Sequence, residues 1–346
     1  MTMTKKWMSM NKQKIAVIGA GSWGTALAMV LASKGYRVPL WGHDSAHIES
    51  IRAEGQNKRY LPGLPLSNNI QPTNDLEEAV CDCEIVCMVV PSHGFRRVYE
   101  QVILFLEDGV NVVSAVKGIE NDTLMTMTQV MEDVRNQRQI DKTICTAVLS
   151  GPSFAKEVAE KIPTAITVGC RSLEIAVKLQ KTFVTDTFRV YAATDVIGLE
   201  ISAALKNIVA VAAGICDGLG YGLNTRAALI TRGLAEITRL GVAMGAEPTT
   251  FSGLSGLGDL VLTCTGSLSR NRTVGLKLGQ GLKLDDIVSE MNMVAEGVKT
   301  TRSGYELAKK LGIEMPILEQ IYAIIYQGKN CADAVRDLLK RELKVE

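Results

Sequence analysis

The 346-residue chain predicts an α/β fold, a doubly wound parallel sheet, followed by an all-α C-terminal domain. Three observations predict it. Short apolar runs alternate with helical segments up to about Ala192. The first run ends in a glycine-rich turn that opens a helix of small residues. Past Asp195 the strand-like runs stop and helical periodicity takes over.

The first run, Lys14-Ile-Ala-Val-Ile18, leads into Gly19-Ala-Gly21-Ser-Trp-Gly24 and a helix expected over Thr25–Lys34. Strand, G-x-G-x-x-G and helix in that order form a Rossmann-type dinucleotide-binding unit. Gly19 allows the tight turn, Gly21 lets backbone amides reach a pyrophosphate, and Gly24 lets helix and strand pack closely. Alone the motif is weak; its context strengthens it. Further strands are expected at Val38–Trp41, Ile85–Val90, Val110–Val116, Ile144–Leu149, Ala165–Gly169 and Arg189–Ala192. Helices such as Asp75–Val80 and His93–Phe105 lie between them. Pro39 fits its strand poorly, because it donates no ladder bond. Ligands bind at the carboxyl ends of such strands, which gathers Gly19–Gly24, Gly42–Asp44, Pro91–His93 and Lys117–Gly118 around one crevice.

The second strand bears on cofactor choice. Where an NAD-selective fold has a carboxylate directly after it, this chain has Gly42, then His43 and Asp44. Repulsion against a 2′-phosphate is thereby removed and His43 is placed to approach it, so NADP(H) is expected alongside NAD(H). The alternative is that Asp44 swings back into the acid's role.

After Asp195 the expected helices are the one bearing Lys206, then Asn224–Met244, Lys283–Glu290, Gly297–Leu311, Met315–Tyr326 and Cys331–Leu343. The expected division is a disordered extension at 1–13, a dinucleotide-binding domain at 14–194 and a helical substrate domain at 195–346, with the site in the cleft between domains. Composition agrees. The hydrophobic fraction is 47%, and 38 Lys plus Arg nearly balance 37 Asp plus Glu, so no global field holds nucleic acid or a membrane surface. No uncharged apolar run reaches the length of a membrane span, and the N-terminus has no signal-peptide core. Among eight cysteines, Cys81, Cys83 and Cys87 cluster without zinc-site spacing, so no metal is expected and the thiols suit a reducing cytoplasm.

Three features carry chemistry. Lys206 is the sole charge between Glu200 and Asp217, on a helix apolar on both faces. Its helical neighbours Ser202, Ala203, Val209 and Ala210 cannot pair an ammonium. Burial there pulls a lysine toward neutral pH, where it can exchange protons; the bland alternative is a tip that snorkels to solvent. Gly253–Thr263 reads as a glycine-rich loop whose Asp259 can reach that ammonium, or else as one with a capping aspartate. Ser269-Arg270-Asn271-Arg272 reads as a turn with two guanidiniums, either a phosphate grip or a solvated basic turn.

Together these pieces resemble the bacterial NAD(P)-dependent sn-glycerol-3-phosphate dehydrogenases over nearly the whole chain, from about Lys14 to Leu343. The matching stretches include Ile18-Gly-Ala-Gly-Ser-Trp-Gly-Thr-Ala-Leu27, Trp41-Gly-His-Asp44, Val90-Pro-Ser-His93, Val116-Lys-Gly118 and Ser150-Gly-Pro-Ser-Phe-Ala-Lys-Glu157. They continue through Ala204-Leu-Lys-Asn207, Asn224-Thr-Arg-Ala-Ala-Leu-Ile-Thr-Arg-Gly233, Gly256-Leu-Gly-Asp-Leu260, Ser269-Arg-Asn271 and Val294-Ala-Glu296. Ala203 stands where many members have Gly, and Ser153 where Thr is also common. The resemblance implies reversible reduction of dihydroxyacetone phosphate to sn-glycerol 3-phosphate, the glycerophospholipid backbone, by a cytoplasmic homodimer.

The resemblance also implies roles. Lys206 exchanges the proton, with Asp259 orienting it and Asn207 beside it. Lys117, Gly151, Ser153, Ser269, Arg270 and Asn271 hold the phosphorylated triose. Gly19, Gly21, Ser22, Trp23, Gly24, His43, Lys117 and Ala155 contact the cofactor, joined by Arg270, Val294 and Glu296. Two rival readings stand beside this one: a related β-hydroxyacid or 6-phosphogluconate-type dehydrogenase, and a non-catalytic NADP(H) sensor. The second has no need of a buried lysine, an acid and a phosphate grip together.

Overall fold

The computed structural model describes residues 13–289 and 295–342. The expected disorder of the N-terminal extension therefore falls almost wholly outside the described residues, as do Glu290, Val294 and Leu343. The strands are β1 (Ile15–Ile18), β2 (Val38–Trp41), β3 (Ile70–Thr73), β4 (Ile85–Met88), β5 (Asn111–Ser114), β6 (Cys145–Ser150), β7 (Thr164–Cys170) and β8 (Phe188–Ala193). They form one sheet in the order β3-β2-β1-β4-β5-β6-β7-β8. Through this half run α1 (Ser22–Ser33), α2 (Ser45–Glu54), α3 (Leu76–Val80), α4 (Phe95–Phe105), α5 (Met127–Gln137), α6 (Ala155–Ala159) and α7 (Leu173–Phe183). The order reverses between β1 and β4, so the crevice lies at the carboxyl ends of those strands.

The sheet departs from the expected all-parallel arrangement. β7 runs antiparallel to β6, with Val148 opposite Gly169. Only the five-residue α6 lies between them, too little for the crossover that a parallel return needs, and the chain doubles back. Residues Ile70-Gln-Pro-Thr73 pair with β2 as an edge strand that the apolar pattern did not announce. Pro39 holds its place in β2 because it costs a single bond on the β1 side; Val38 and Gly42 still donate to Asn69 and Thr73 on the other.

The helical half comprises α8 (Val196–Gly218), α9 (Leu223–Ala243), α10 (Pro248–Phe251), α11 (Asp259–Thr265), α12 (Arg270–Gly279), α13 (Leu284–Ser289), α14 (Glu296–Leu311), α15 (Pro316–Gln327) and α16 (Cys331–Leu339). α8 is apolar all round because α9, α11, α12 and α14 surround it. By length and composition it could cross a membrane, yet 94% of its most apolar window is buried in this fold. Glycines set its contact with α12: a Cβ on Gly275 would stand 2.0 Å from the Val211 carbonyl oxygen, and one on Gly214 2.0 Å from that of Arg272. The chain stretches 253–263 and 269–272, expected as loops, are helical. A π-turn (Leu254–Gly258) runs into α11, and Ser269 caps α12. Glycine density masked helices whose backbones must approach α8 and Phe251 closely.

Two buried carboxylates bind helix ends. Glu200 of α8 accepts from the Thr128 amide at 2.8 Å and its hydroxyl at 2.6 Å, which fastens the helical half to α5. Glu236 of α9 accepts from the Ile317 amide at 2.9 Å and the Leu318 amide at 3.4 Å, capping α15. Burial pushes the Glu236 carboxyl up to about 7, with those two amides opposing the rise. A pKa raised on folding adds stability that is full below about 4.5 and lost as pH climbs through 7. Glu236→Gln, whose carbonyl can serve both amides, is therefore expected to flatten this slope. Its Tm should gain on the wild type at pH 8 by the equivalent of about 2 kcal/mol and match it near pH 4.5. Equal pH slopes in thermal melts would contradict this assignment.

Candidate active site

A cavity of about 570 Å³ opens where the carboxyl ends of β1, β2, β4 and β5 face α8, α11 and α12. Its sheet-side wall is the glycine-rich turn. Gly19 has φ of +129°, and a Cβ there would meet the Val89 carbonyl oxygen at 2.7 Å. A Cβ on Gly24 would lie 1.8 Å from the Gly19 carbonyl oxygen, so that position brings α1 against β1. Gly21 faces open space, and no side chain caps α1. The first amides of α1 are thus left to serve as donors at the cavity wall, which suits a pyrophosphate. The residues present fit a dinucleotide.

The end of β2 supplies the other part of that wall. His43 is exposed and lines the cavity. Asp44 does not stand free to take over the missing acid's role: Oδ1 accepts the His47 amide at 3.1 Å as the cap of α2, and Oδ2 lies 3.1 Å from Arg59. Arg59 and Tyr60 line the same corner. Sequence reasoning missed both, since nothing local marks a residue carried in from the α2–β3 connection.

At the floor of the cavity Lys206 is 5% exposed, which removes the snorkelling alternative. Its ammonium donates to Asp259 Oδ1 and, at 2.7 Å, to Thr263 Oγ1. Thr263 gives its own proton to the Asp259 carbonyl at 2.6 Å, so toward the lysine it acts as acceptor. This residue too was missed; its signal was the i+4 spacing from Asp259. The other carboxylate oxygen, Oδ2, accepts from Lys117 Nζ at 2.8 Å, and Lys117 also donates to the Gly151 carbonyl at 3.1 Å. Asp259 thus bridges one lysine from each half of the chain. Burial pulls Lys206 down to about 7, Lys117 adds to the fall, and Asp259 opposes it.

Asp259 owes its place to the π-turn. A Cβ on Gly256 would stand 2.0 Å from the Phe251 carbonyl oxygen, so only glycine lets the turn close and aim α11 at Lys206. Within the first turn of α11 the carboxylate also complements the helix dipole.

The opposite wall is the N-terminus of α12. Ser269 Oγ accepts the Arg272 amide at 3.3 Å, and Ser269, Arg270 and Asn271 all line the cavity. The two guanidiniums part company: Arg270 borders the cavity, while Arg272 turns back to Asp217, with Nε at 2.8 Å and Nη2 at 2.7 Å. Of the two guanidiniums expected to grip a phosphate, Arg270 alone stands at the cavity, beside the N-terminus of α12. Asn271 donates to Asn207 Oδ1 at 2.9 Å and accepts the Gly297 amide at 2.9 Å, which locks α8, α12 and α14 together beneath the cavity.

Ser153, whose hydroxyl donates to the Gly151 carbonyl at 3.0 Å, and Ala155 line the rim. Gly151 itself stands back, its φ of +142° and close Ile166 leaving room for no side chain, and offers only its carbonyl to Lys117. Glu296 closes the cavity from α14 and accepts the Ser92 hydroxyl at 2.6 Å. Val294 lies outside the described residues.

Comparison with known proteins agrees with this geometry. Residues 14–176 match the model of the NAD-dependent glycerol-3-phosphate dehydrogenase N-terminus, and residues 195–336 that of its C-terminus. The chain is 60% identical to glycerol-3-phosphate dehydrogenase [NAD(P)+] of Desulfotalea psychrophila, covering 98% of this chain and 100% of that one. It is 55% identical to the enzyme of that name from Citrifermentans bemidjiense, over 96% and 99%. The crystal structure of glycerol-3-phosphate dehydrogenase from Coxiella burnetii superimposes with a TM-score of 0.91 at 39% identity, over 95% and 99% of the two chains. Both halves of the chain match that family's models, and full-length relatives share more than half of its residues: the chain belongs to the NAD-dependent glycerol-3-phosphate dehydrogenase family.

Proposed function

We propose that the chain reduces dihydroxyacetone phosphate reversibly to sn-glycerol 3-phosphate with NADPH or NADH, and that Lys206 exchanges the proton. The observation that carries this reading is the buried Lys206 ammonium, shared with Asp259 between a wall that fits a dinucleotide and one that fits a phosphate. When bound, the cofactor supplies or receives the hydride. Lys206, drawn toward neutrality by burial, gives its proton to the carbonyl oxygen in reduction and recovers it from the alcohol in oxidation. Asp259 fixes the ammonium's direction, and Thr263 holds a second of its hydrogens. Lys117 lies close enough, through Asp259, to place a second positive charge by the developing alkoxide. Arg270, Ser269 and the α12 amides take the phosphate, which positions the carbonyl from a distance. A cytoplasmic setting belongs to this reading; five of the eight cysteines are buried, as small core residues are.

Steady-state assays with dihydroxyacetone phosphate, 6-phosphogluconate and 3-hydroxyisobutyrate test it, with strong preference for the first as the expected result. Turnover of either of the others alone would overturn the substrate assignment, and no turnover of any would favour the sensor. Arg270→Ala should raise KM for dihydroxyacetone phosphate and lower kcat as well, with kcat/KM falling roughly 10²-fold, because binding energy at the phosphate also orients the reacting carbon. Unchanged parameters would make Arg270 a surface residue.

A further inference from the structure

The corner at the end of β2 is built of charges that cancel. Arg59 Nη1 stands 3.1 Å from Asp44 Oδ2, with 54% of the arginine side chain and 40% of the aspartate exposed to the cavity mouth. The segment that carries Arg59 is firmly held. Asn57, wholly buried, donates to the Ala20 carbonyl at 3.0 Å and to Thr25 Oγ1 at 2.8 Å, and accepts the Tyr60 amide at 3.2 Å. It thereby ties Arg59 to the glycine-rich turn and to α1. Tyr60 packs edge-on against His47 with ring centroids 5.1 Å apart, and the Arg59 guanidinium lies 5.1 Å over the Tyr60 ring. The guanidinium is a positioned group on a fixed segment, half in solvent.

A carboxylate at this place favours a ribose 2′-hydroxyl and repels a 2′-phosphate. Gly42 brings no charge, and a Cβ there would press within 2.9 Å of Ile48, which leaves the role to its neighbours. One oxygen of Asp44 is engaged by the first turn of α2 and the other by Arg59. The corner therefore presents one negative and one positive group in contact, with the exposed His43 on the same wall, and is biased against neither form of the cofactor. We infer that Arg59 is the residue that admits the 2′-phosphate, by exchanging Asp44 for it, while Asp44 released toward the ribose keeps the 2′-hydroxyl form acceptable. The pair works as a balanced selector. This rests on the reading that the β2 end of the cavity takes the adenosine ribose.

Dissociation constants for NADPH and NADH, measured by titration calorimetry, test it, together with competition by adenosine 2′-monophosphate, a probe for this corner alone. Arg59→Ala should weaken NADPH and adenosine 2′-monophosphate by about 10–100-fold, the loss of charge-assisted hydrogen bonds, and leave NADH within about threefold. Asp44→Asn keeps the cap of α2 and should act in reverse, tightening NADPH and weakening NADH a few-fold. An Arg59→Ala protein that weakens NADPH and NADH equally, or that binds adenosine 2′-monophosphate as tightly as the wild type, overturns the role given to Arg59. If adenosine 2′-monophosphate fails to displace NADPH even from the wild type, the underlying placement of the ribose is wrong as well.

Discussion

Lys206→Ala is expected to lower kcat for dihydroxyacetone phosphate reduction by roughly 10²–10⁴, the scale of a lost acid–base group, while NADPH binds within a few-fold of wild type. The asymmetry follows from position. Lys206 lies on the floor of the cavity, held by Asp259 and Thr263, whereas the pyrophosphate donors belong to the sheet-side wall around Gly21 and Ser22. Removing the amine leaves Asp259 with Lys117 as its remaining cation, so the carboxylate stays paired and the fold survives. Stopped-flow measurement of NADPH oxidation, with calorimetry for binding, separates the two quantities. Wild-type turnover in this variant would end the proton-transfer proposal. Equal losses in binding and turnover would mark Lys206 as a structural cation.

Asp259→Asn should have the second largest effect, and one that depends on pH. The carboxylate is the group that holds Lys206 up against burial and Lys117. Without its charge the protonated amine loses its counter-ion, and the lysine falls below the wild-type value near 7. Reduction needs the ammonium, so its rate declines as pH rises through the lysine's pKa. In the variant this decline should move at least one unit toward acid. At pH 7.5 kcat should drop roughly 10–100-fold, with part of the loss recovered near pH 5.5, where more of the amine is protonated. A kcat profile lowered uniformly, with its midpoint in place, would show that Asp259 orients the lysine without tuning it.

The parts of this site that were legible in the sequence are those where local chemistry is unusual. A lone lysine in an apolar helix and a strand–glycine–helix junction are rare enough to stand out, and both occupy the positions expected of them. Asp259 was legible as an acid among glycines, though its glycines serve a π-turn rather than a loop. What escaped notice is what tertiary structure alone decides. The edge strand Ile70–Thr73 is polar and contains Pro72, so it pairs by position rather than by pattern. Helix α12 was masked by its glycines, which exist to admit α8. Arg272 matched Arg270 in sequence and parted from it only because Asp217 lies at the end of α8. Arg59, Tyr60 and Thr263 reach the cavity through elements whose placement no short stretch encodes.

The account rests on an amine kept dry and close to neutrality at the meeting of the two halves. Its most direct test is a titration of the Lys206 side chain by NMR, with lysine labelled with ¹³C at Cε and its resonance assigned by loss in Lys206→Met. The midpoint is predicted near 7, far below the ordinary lysine value of about 10.4. A midpoint at or above 10 would contradict it.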